Sequence, residues 1–599
     1  MSENEGVLHE AKARFEQSRE SAGFNHAAAE ECIRFARLAD QWPDHIRRQR
    51  EAEGRPCLTI NRLPAFIRQV VNDARQNKPG IRVTAAESGD RATADVIQGI
   101  VRHIERASGA DVAYDTAIDH AVTGGFGFFR VSIDYAHADS FDMEARIERV
   151  PNPLMVHWDT TSTMFDASDW DFAFISEYLT EDQFEARYPD AEPVSFEGAD
   201  ADRVDTRTDG DDVRVVEYWS RERKARQLLQ IRLFDGSVRT IRQEDLERAI
   251  QEGAVLPGAF EVLKAREAEY HVVTRRVLSG AAVLEEDEWP GSMIPICPVW
   301  GDEVILDGRR HFRSMVSDAM DPQRMFNFWR TSTTEVVALA PKAPWVGPKG
   351  FVPRGHEEKW ASANARSYAY LEYEPVPGLP APQRQAFAGV PAGAMQEALS
   401  AADDMKAITG IYDAALGARS NETSGRAILA RQREADTANF HFIDNLSRAI
   451  RYCGRVLVEI IPHLYSGREA ARILGEDGKE AVVRLAQSGQ GTTLNDDGEP
   501  VIYDLSVGHY DVDIDSGPSY ATQREEAREV IVELIRSLPG AAPYMADILF
   551  RNMDFQGADE LAERAKLLMQ MQMTPPGQAP RGPPPGGQPM PPGAMPPGA

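Results

Sequence analysis

Apolar residues recur at helical spacing over several long stretches of the chain and alternate at strand spacing over others. Residues 8–52 have helical composition, rich in Ala, Glu and Arg, with a break marked by Trp42 and Pro43. The block GRPCLTINRLPAFIRQVVNDARQNKPGIRV at 54–83 opens extended, and a helix starts at Asn61 or Leu63, ahead of Pro64. Pro suits a first helical turn because its missing N–H would have had no partner there. Pro79 and Gly80 stop that helix and start a strand. Val96, Ile100, Ile104, Val112 and Ile118 predict one further helix over roughly 91–121, and GGFGFFRVSIDY at 124–135 reads as a turn followed by a β-rich run.

The segment 190–212 holds nine acids against two arginines and almost no large apolar residue, so it reads as a loop or boundary. Strand-like pieces follow at 213–219, 227–235 and 270–279, with a short helix at 243–252 between the second and third. Together they predict a small α/β module. Residues 311–340 form a helical stretch in which Asp321 and Pro322 signal a kink or restart. Pro and Gly crowd 341–393, and a helix resumes near Gly393 with Met395, Ala398, Ala402 and Met405. The longest helix candidate runs from Ser424, a possible N-cap, to Ile461. Its stripe is Ile443, Leu446, Ile450, Cys453, Leu457 and Ile460, as in a helix packed along another. A β-hairpin around 475–507 and helices over about 521–570 complete the pattern. The final 26 residues contain 11 Pro and 6 Gly, the composition of an extended, flexible tail.

A length of 599 residues predicts two or more compact units, and 42% apolar with 27% charged residues is ordinary globular usage. The net charge of −28 changes the picture more. It argues against a surface that grips nucleic acid everywhere, and leaves room for a local basic patch or for a nucleic acid guided without being held. Cys32, Cys57, Cys297 and Cys453 are far apart, so neither a disulfide framework nor a zinc site is expected. The charged N-terminus lacks the apolar core of a signal peptide, and no run of about 18 apolar residues occurs, so a soluble chain without membrane contact is expected.

Candidate chemistry is sparse. GGFGF at 124–128 misses the order of a phosphate-binding loop and reads as a tight turn, and no GxxxxGK[ST] occurs. His441 and Asp444 share a helical face without a third ligand. GxSxG and HExxH are both missing, so neither an enzyme nor a cofactor is indicated. Met325, Phe326, Phe328 and Trp329 crowd one stretch, and core packing and a subunit contact explain them equally well. Phe326, Trp329, Ile443, Leu446, Ile450 and Leu457 are the candidates for subunit packing. Lys342, Lys349, Arg354 and Arg384 are candidates for contact with a phosphate backbone, a solvated loop being the competing explanation.

The block at 54–83 resembles the N-terminal signature of portal proteins from short-tailed double-stranded DNA bacteriophages. SMIPICPVWGDE, MDPQRMFNFWRTSTTEVVALAPKAP, TGIYDAALGARSNETSGRAI, FHFIDNLSRAIRYCGRVLVEIIPHLY and DIDSGPSYATQREEAREVIVELI follow in that family's order, over roughly residues 30–565. The resemblance implies an α+β, mainly α protomer: an N-terminal wing part at 1–212, a clip module at 213–305 and a stem helix at 306–340. A channel loop with wing and channel helices at 341–520, a helical crown at 521–573 and a disordered tail at 574–599 would follow. The long C-terminal helical barrel of some relatives is replaced by the short tail. The implied protein is a ring, usually twelvefold, at one capsid vertex, a channel for packaging and ejecting double-stranded DNA. Its implied partners are the terminase large subunit, a head-to-tail adaptor, and the major capsid and scaffold proteins, with assembly in the host cytoplasm. Walls built from copies of a −28 chain would repel DNA over a Debye length of roughly 8 to 10 Å. A capsid-associated scaffold without a channel is the alternative, and an unrecognised enzyme a third.

Overall fold

In the computed structural model the described residues are 3–76, 79–86, 91–196, 212–233, 236, 238–251, 260–339, 345–363, 366, 368–384, 392–412 and 439–465, with shorter stretches between 470 and 565. The chain divides into two compact units, Met1–Arg75 with Pro79–Ser516, and Gln76–Lys78 with Gly517–Ala599. In the second, 531–537 and Ala542–Arg551 are helical. The expected tail at 574–599 lies outside the described residues. The first unit carries the elements that position the site.

Helix α1 (Glu3–Arg37) buries Phe15, Ala22, Ala29, Cys32 and Phe35 along one face. It is followed by α2 (Asp44–Ala52) and α3 (Leu63–Gln76). Asn61 Oδ1 accepts from Leu63 N–H at 3.2 Å, which fixes the start of α3. Strand β1 (Gly80–Ala85) leads to α4 (Arg91–Ser108) and α5 (Ala110–Gly124). The single helix expected over 91–121 is broken by Gly109, whose φ of +60° is a left-handed conformation that costs a side-chain-bearing residue more. Strand β2 (Phe126–Tyr135) pairs with β3 (Met143–Arg149). Phe126, Phe128 and Phe129 of β2 are all buried. A Cβ on Gly127 would stand 2.0 Å from Ala117 O, so only glycine lets β2 lie directly on α5.

Strands β4 (Val156–Trp158) and β5 (Phe172–Thr180) precede α6 (Glu181–Arg187), β6 (Asp212–Leu233), β7 (Val238–Arg242), α7 (Gln243–Gln251), β8 (Phe260–Leu278) and β9 (Val283–Trp289). They form one antiparallel sheet in the order β4-β5-β6-β8-β9, with β7 flanking β6. Strands β6 and β8, of 22 and 19 residues, outrun their neighbours. β5 covers only residues 212–220 of β6, and β9 only 273–278 of β8. What remains is a ribbon of β6 and β8, flanked by β7 along residues 228–232 of β6. The mainly α protomer expected from the sequence is therefore corrected to a mixed α/β one: the charged run SRERKAR at 220–226 has no apolar period yet continues β6. The strands of 213–305 do not pair only among themselves. β6 is tied to β5, and β10 (Ile296–Trp300) pairs with β2 in a sheet of order β10-β2-β3.

A hairpin of β11 (Asp302–Leu306) and β12 (Arg309–Arg313) leads into α8 (Met315–Leu339). The kink expected at Asp321 and Pro322 does not interrupt α8, which runs through Pro322 as one helix. Then come β13 (Trp345–Val346), α9 (Glu357–Ala361), β14 (Gln383–Arg384), α10 (Ala392–Thr409) and α11 (Phe440–Leu464). Residues 424–438, including the expected N-cap Ser424, lie outside the described residues. The hairpin β15 (Ala470–Leu474) and β16 (Glu480–Arg484) and the short pair β17 (Thr493–Leu494) and β18 (Pro500–Val501) precede β19 (Tyr510–Asp515). β19 returns to pair with β1.

The core where these layers meet is aromatic. Trp300 stacks on Phe312 with centroids 4.1 Å apart, edge-on to Phe128 and Trp158, and its indole N–H donates to Phe165 O at 2.8 Å. Beside it His26 and His157 stack at 4.8 Å. Burial lowers the pKa of both rings, and that of His120 to about 4, because a charged imidazole loses its water there. All three are thus neutral in the folded chain near neutral pH. The unfolded chain takes up protons below 6.5 while the folded one resists, so the stability held above 6.5 is lost as pH falls towards about 4. The His120 shift alone corresponds to roughly 3 kcal/mol. We expect the melting temperature to fall steeply between pH 6.5 and pH 4.5. His157→Phe should flatten that dependence, and an unchanged slope in the variant would show that burial of this ring is not what titrates.

Candidate subunit and nucleic-acid interface

Helix α8 places unlike side chains on its two faces. Its core-facing stripe includes Val316, Ala319 and Met320 and then turns polar: Gln323, Asn327 and Thr331 are all buried. These three, spaced by four, serve the extended stretch before α3 as a sheet neighbour would. Gln323 Oε1 accepts from Arg62 N–H at 3.1 Å, and its Nε2 donates to Ile60 O at 2.9 Å. Asn327 Oδ1 accepts from Ile60 N–H at 3.0 Å, and its Nδ2 donates to Gln41 Oε1 at 2.6 Å. Thr331 Oγ1 accepts from Leu58 N–H at 3.2 Å. One turn further, Glu335 receives Arg55 Nε at 2.7 Å and Arg50 Nη2 at 3.1 Å. The Arg55 hydrogen bond leads the effects that hold the Glu335 carboxyl below its ordinary pKa.

The other face of α8 is apolar and open. Met325 and Phe328 are 47% and 46% exposed. Helix α10 packs along α8 through Ala394, Ala398, Ala401, Ala402 and Met405, and it too leaves large apolar residues outside: Met395, Leu399 and Ile408. Its end is anchored where α11 begins, with Asn439 Nδ2 donating to Thr409 O at 3.0 Å. The pair thus leaves the core along α8 and returns along α10.

Between the two helices sits the segment 345–384. Trp345 and Phe351 both meet Trp360 edge-on at 5.3 and 5.0 Å, and none of the three joins the main core. Trp360 Nε1 donates to Glu372 O at 2.8 Å, and β13 pairs with β14. Lys349, Arg354, Lys359, Arg366 and Arg384 stand here against Glu357, Glu358, Glu372 and Glu374, so the acid surplus of the chain is reversed locally.

Of the cations singled out in the sequence, Lys349, Arg354 and Arg384 fall in this segment and are exposed. Lys342 lies outside the described residues. Of the packing candidates, Phe326, Leu446, Ile450 and Leu457 are buried by their own chain, and Trp329 and Ile443 pack half-buried against the same core. Arg62 covers the Phe326 ring at 4.1 Å. The solvent-facing residues are their neighbours Met325 and Phe328, which the same crowding had marked without a side. The Gln323–Asn327–Thr331 ladder went unread, although its four-residue spacing on a helix is a visible signal. His441 Nε2 lies 3.2 Å from Asp302 Oδ1, between α11 and β11. Among the described residues no group of three or more His, Cys, Asp or Glu could hold a metal, and no helix is long and apolar enough to cross a membrane.

The profile of the phage P22-like portal proteins matches residues 12–596. The chain belongs to the P22-like portal protein family. A portal protein of Acyrthosiphon pisum secondary endosymbiont phage 1 is 25% identical over 596 residues, covering 92% of this chain and 79% of that relative. Family membership makes this chain a structural phage protein, with a place in the capsid and in viral DNA packaging.

The ladder gives a direct test. Replacing Asn327 by Leu leaves the part-buried N–H of Ile60 and the buried Oε1 of Gln41 without partners, at about 1 to 3 kcal/mol each. We expect Asn327→Leu to lower the melting temperature more than Thr334→Ala, an exposed position on the same helix. Equal midpoints for the two would show that the ladder does not carry the packing of α8.

Proposed function

We propose that the chain forms a closed ring at one capsid vertex whose channel passes double-stranded DNA during packaging and ejection. The terminase motor and later the tail adaptors would dock on its outer end. The observation that supports this most is the α8–α10 pair, with a polar ladder on its inner side and Met325, Phe328, Met395, Leu399 and Ile408 exposed outside. Large apolar residues gathered on one helical pair are what a lateral neighbour would cover, and each one fully buried contributes about 1.5 to 3 kcal/mol. On this reading α8 is the stem. The segment 345–384, carried between the two helices and folded on its own aromatic cluster, suits the docking end better than 213–305, whose strands are tied into the sheet of the main body. Lys349, Arg354 and Arg384 would meet the phosphate backbone there. With no phosphate-binding loop in the chain, ATP hydrolysis falls to the separate motor.

Electron microscopy and native mass spectrometry of the purified protein test the ring. Rings of about twelve copies are expected, and monomer alone at micromolar concentration and moderate salt, with scaffold protein added, would overturn the reading. Phe328→Asp or Leu399→Glu should reduce ring yield at least tenfold, because a buried charge without a partner costs several kcal/mol. The monomer's melting temperature should hardly move, since both side chains are exposed in the single chain. Undiminished ring yield in both variants would place the subunit contact elsewhere.

A further inference from the structure

The ribbon formed by β6 and β8 carries a feature that the channel reading does not use. Beyond the edge of β5, Lys224 lies opposite Tyr270, Arg226 opposite Ala268, Leu228 opposite Arg266 and Gln230 opposite Lys264. On the flanking strand β7, Arg242 lies opposite Leu228. Residues directly opposite each other share a face, as do alternate residues along one strand. Lys224, Arg226, Arg242, Lys264 and Arg266 therefore occupy one face of the ribbon. Lys224, Arg242, Lys264 and Arg266 are exposed. Arg226 is half-buried, its guanidinium 4.6 Å from the Tyr270 ring centre and its Nε without a hydrogen-bond partner. Glu222 lies 3.9 Å from Lys224, Arg242 reaches Asp245 of α7 at 3.7 Å, and past the bulge at Gln230 the face ends in Arg232 paired with Glu261 at 3.1 Å. The opposite face is different: Arg223 pairs with Glu269 at 3.4 Å, and Glu267 adds a further carboxylate.

Five cations on one face, besides the paired Arg232, stand out in a chain of net charge −28. Their spacing is set by the strands, about 6.6 Å along each and about 4.8 Å between them. The apolar side chains of the face are Leu228, half-buried, Tyr270, covered by Arg226, and the small Val238, exposed at its end, so it lacks the large aromatic anchors on which protein partners depend. Evenly spaced charge without anchors suits a polyanion with a regular backbone, and the ribbon, two-stranded at Lys224 and Arg226 and flanked by β7 beside Lys264 and Arg266, offers it a narrow strip of cations.

We propose that this face of the β6–β8 ribbon binds the sugar–phosphate backbone of duplex nucleic acid without sequence preference, at a site separate from the segment 345–384. The site needs only the protomer, so its test does not depend on ring closure.

The probe is a fluorescently labelled 30-base-pair duplex of mixed sequence, titrated with full-length protein from 50 to 200 mM salt. The wild type should bind with an affinity that falls steeply with salt. A variant carrying Lys224→Gln, Arg226→Gln, Lys264→Gln and Arg266→Gln should bind at least tenfold more weakly at 50 mM. Its log–log salt slope should be shallower by about three to four, since each phosphate contact contributes about 0.9. Lys349→Gln with Arg354→Gln should leave that difference intact. The pair Lys264→Gln and Arg266→Gln, both exposed on one strand, gives a milder variant whose melting temperature must match the wild type, with about half the slope change. Wild-type protein that does not bind at 50 mM salt, or a fourfold variant that binds as the wild type does, would overturn the proposal. So would a variant that loses ring yield while keeping its DNA affinity, because the face would then meet the acidic surface of a second copy.

Discussion

The side chains at Gln323, Asn327 and Thr331 solve a problem that the rest of the fold inherits. The stretch from Cys57 to Arg62 is extended but has no neighbouring strand among the described residues, and backbone N–H and C=O groups partly shielded from water need partners. A helix can supply them only if its repeat matches that of the extended chain. Four helical residues rise about 6.0 Å and two extended residues about 6.6 Å, so three rungs stay in step to within about an ångström. That is why Leu58, Ile60 and Arg62, two apart, meet Thr331, Asn327 and Gln323, four apart. The match locks α8 against the stretch that leads into α3, beside α1, and through α8 it sets the course of α10. It also inverts the usual amphipathic order, with amides on the buried side and Met325 and Phe328 on the open side.

Helix α11 uses the same device at the other edge of the core. Asn445 Nδ2 donates to both Trp300 O and Gly301 O, at 3.0 and 3.1 Å, and Tyr452 OH donates to Ile294 O at 2.7 Å. These carbonyls flank β10, where the chain enters and leaves the sheet. Helix side chains thus complete the hydrogen bonding of irregular backbone, and the apolar stripe of Leu446, Ile450 and Leu457 supplies the burial that makes each polar contact strong. Removing one such side chain strands its carbonyls in a dry site.

Much of the helical order was readable because apolar period and caps agreed. Asn61 before Leu63 and Pro64, and the stripe on α11, were found where they stand. Gly109 was missed because an isolated glycine inside a long apolar pattern gives no sign of whether it will take a left-handed turn. The ribbon was read only in pieces, at 213–219, 227–235 and 270–279, for a different reason. Strands exposed on both faces need no apolar alternation, and SRERKARQ carries charge at most positions, so only pairing with β8 some forty residues later fixes it as a strand. The candidate interface was half visible: crowding of Met325, Phe326, Phe328 and Trp329 announced a contact, but which side faces the core depends on the ladder, whose partner lies about 265 residues upstream.

Charge placement follows from the same constraints. A chain of net −28 can hold cations together only where the fold separates them from its carboxylates. Strand alternation does this on the ribbon, sending Lys224, Arg226, Lys264 and Arg266 to one face and Glu267 and Glu269 to the other. At 345–384 the separation is slighter, with five cations beside four carboxylates around an aromatic cluster of their own. Screening at physiological salt limits each patch to a range of about 8 Å. A duplex nearby would therefore be attracted only in contact with such a patch and repelled at close approach to the acidic surface elsewhere. In the proposed ring this gives a polyanion a few weak, evenly repeated contacts among surfaces that do not hold it, and weak repeated contacts are what allow a charged polymer to be positioned and still to move.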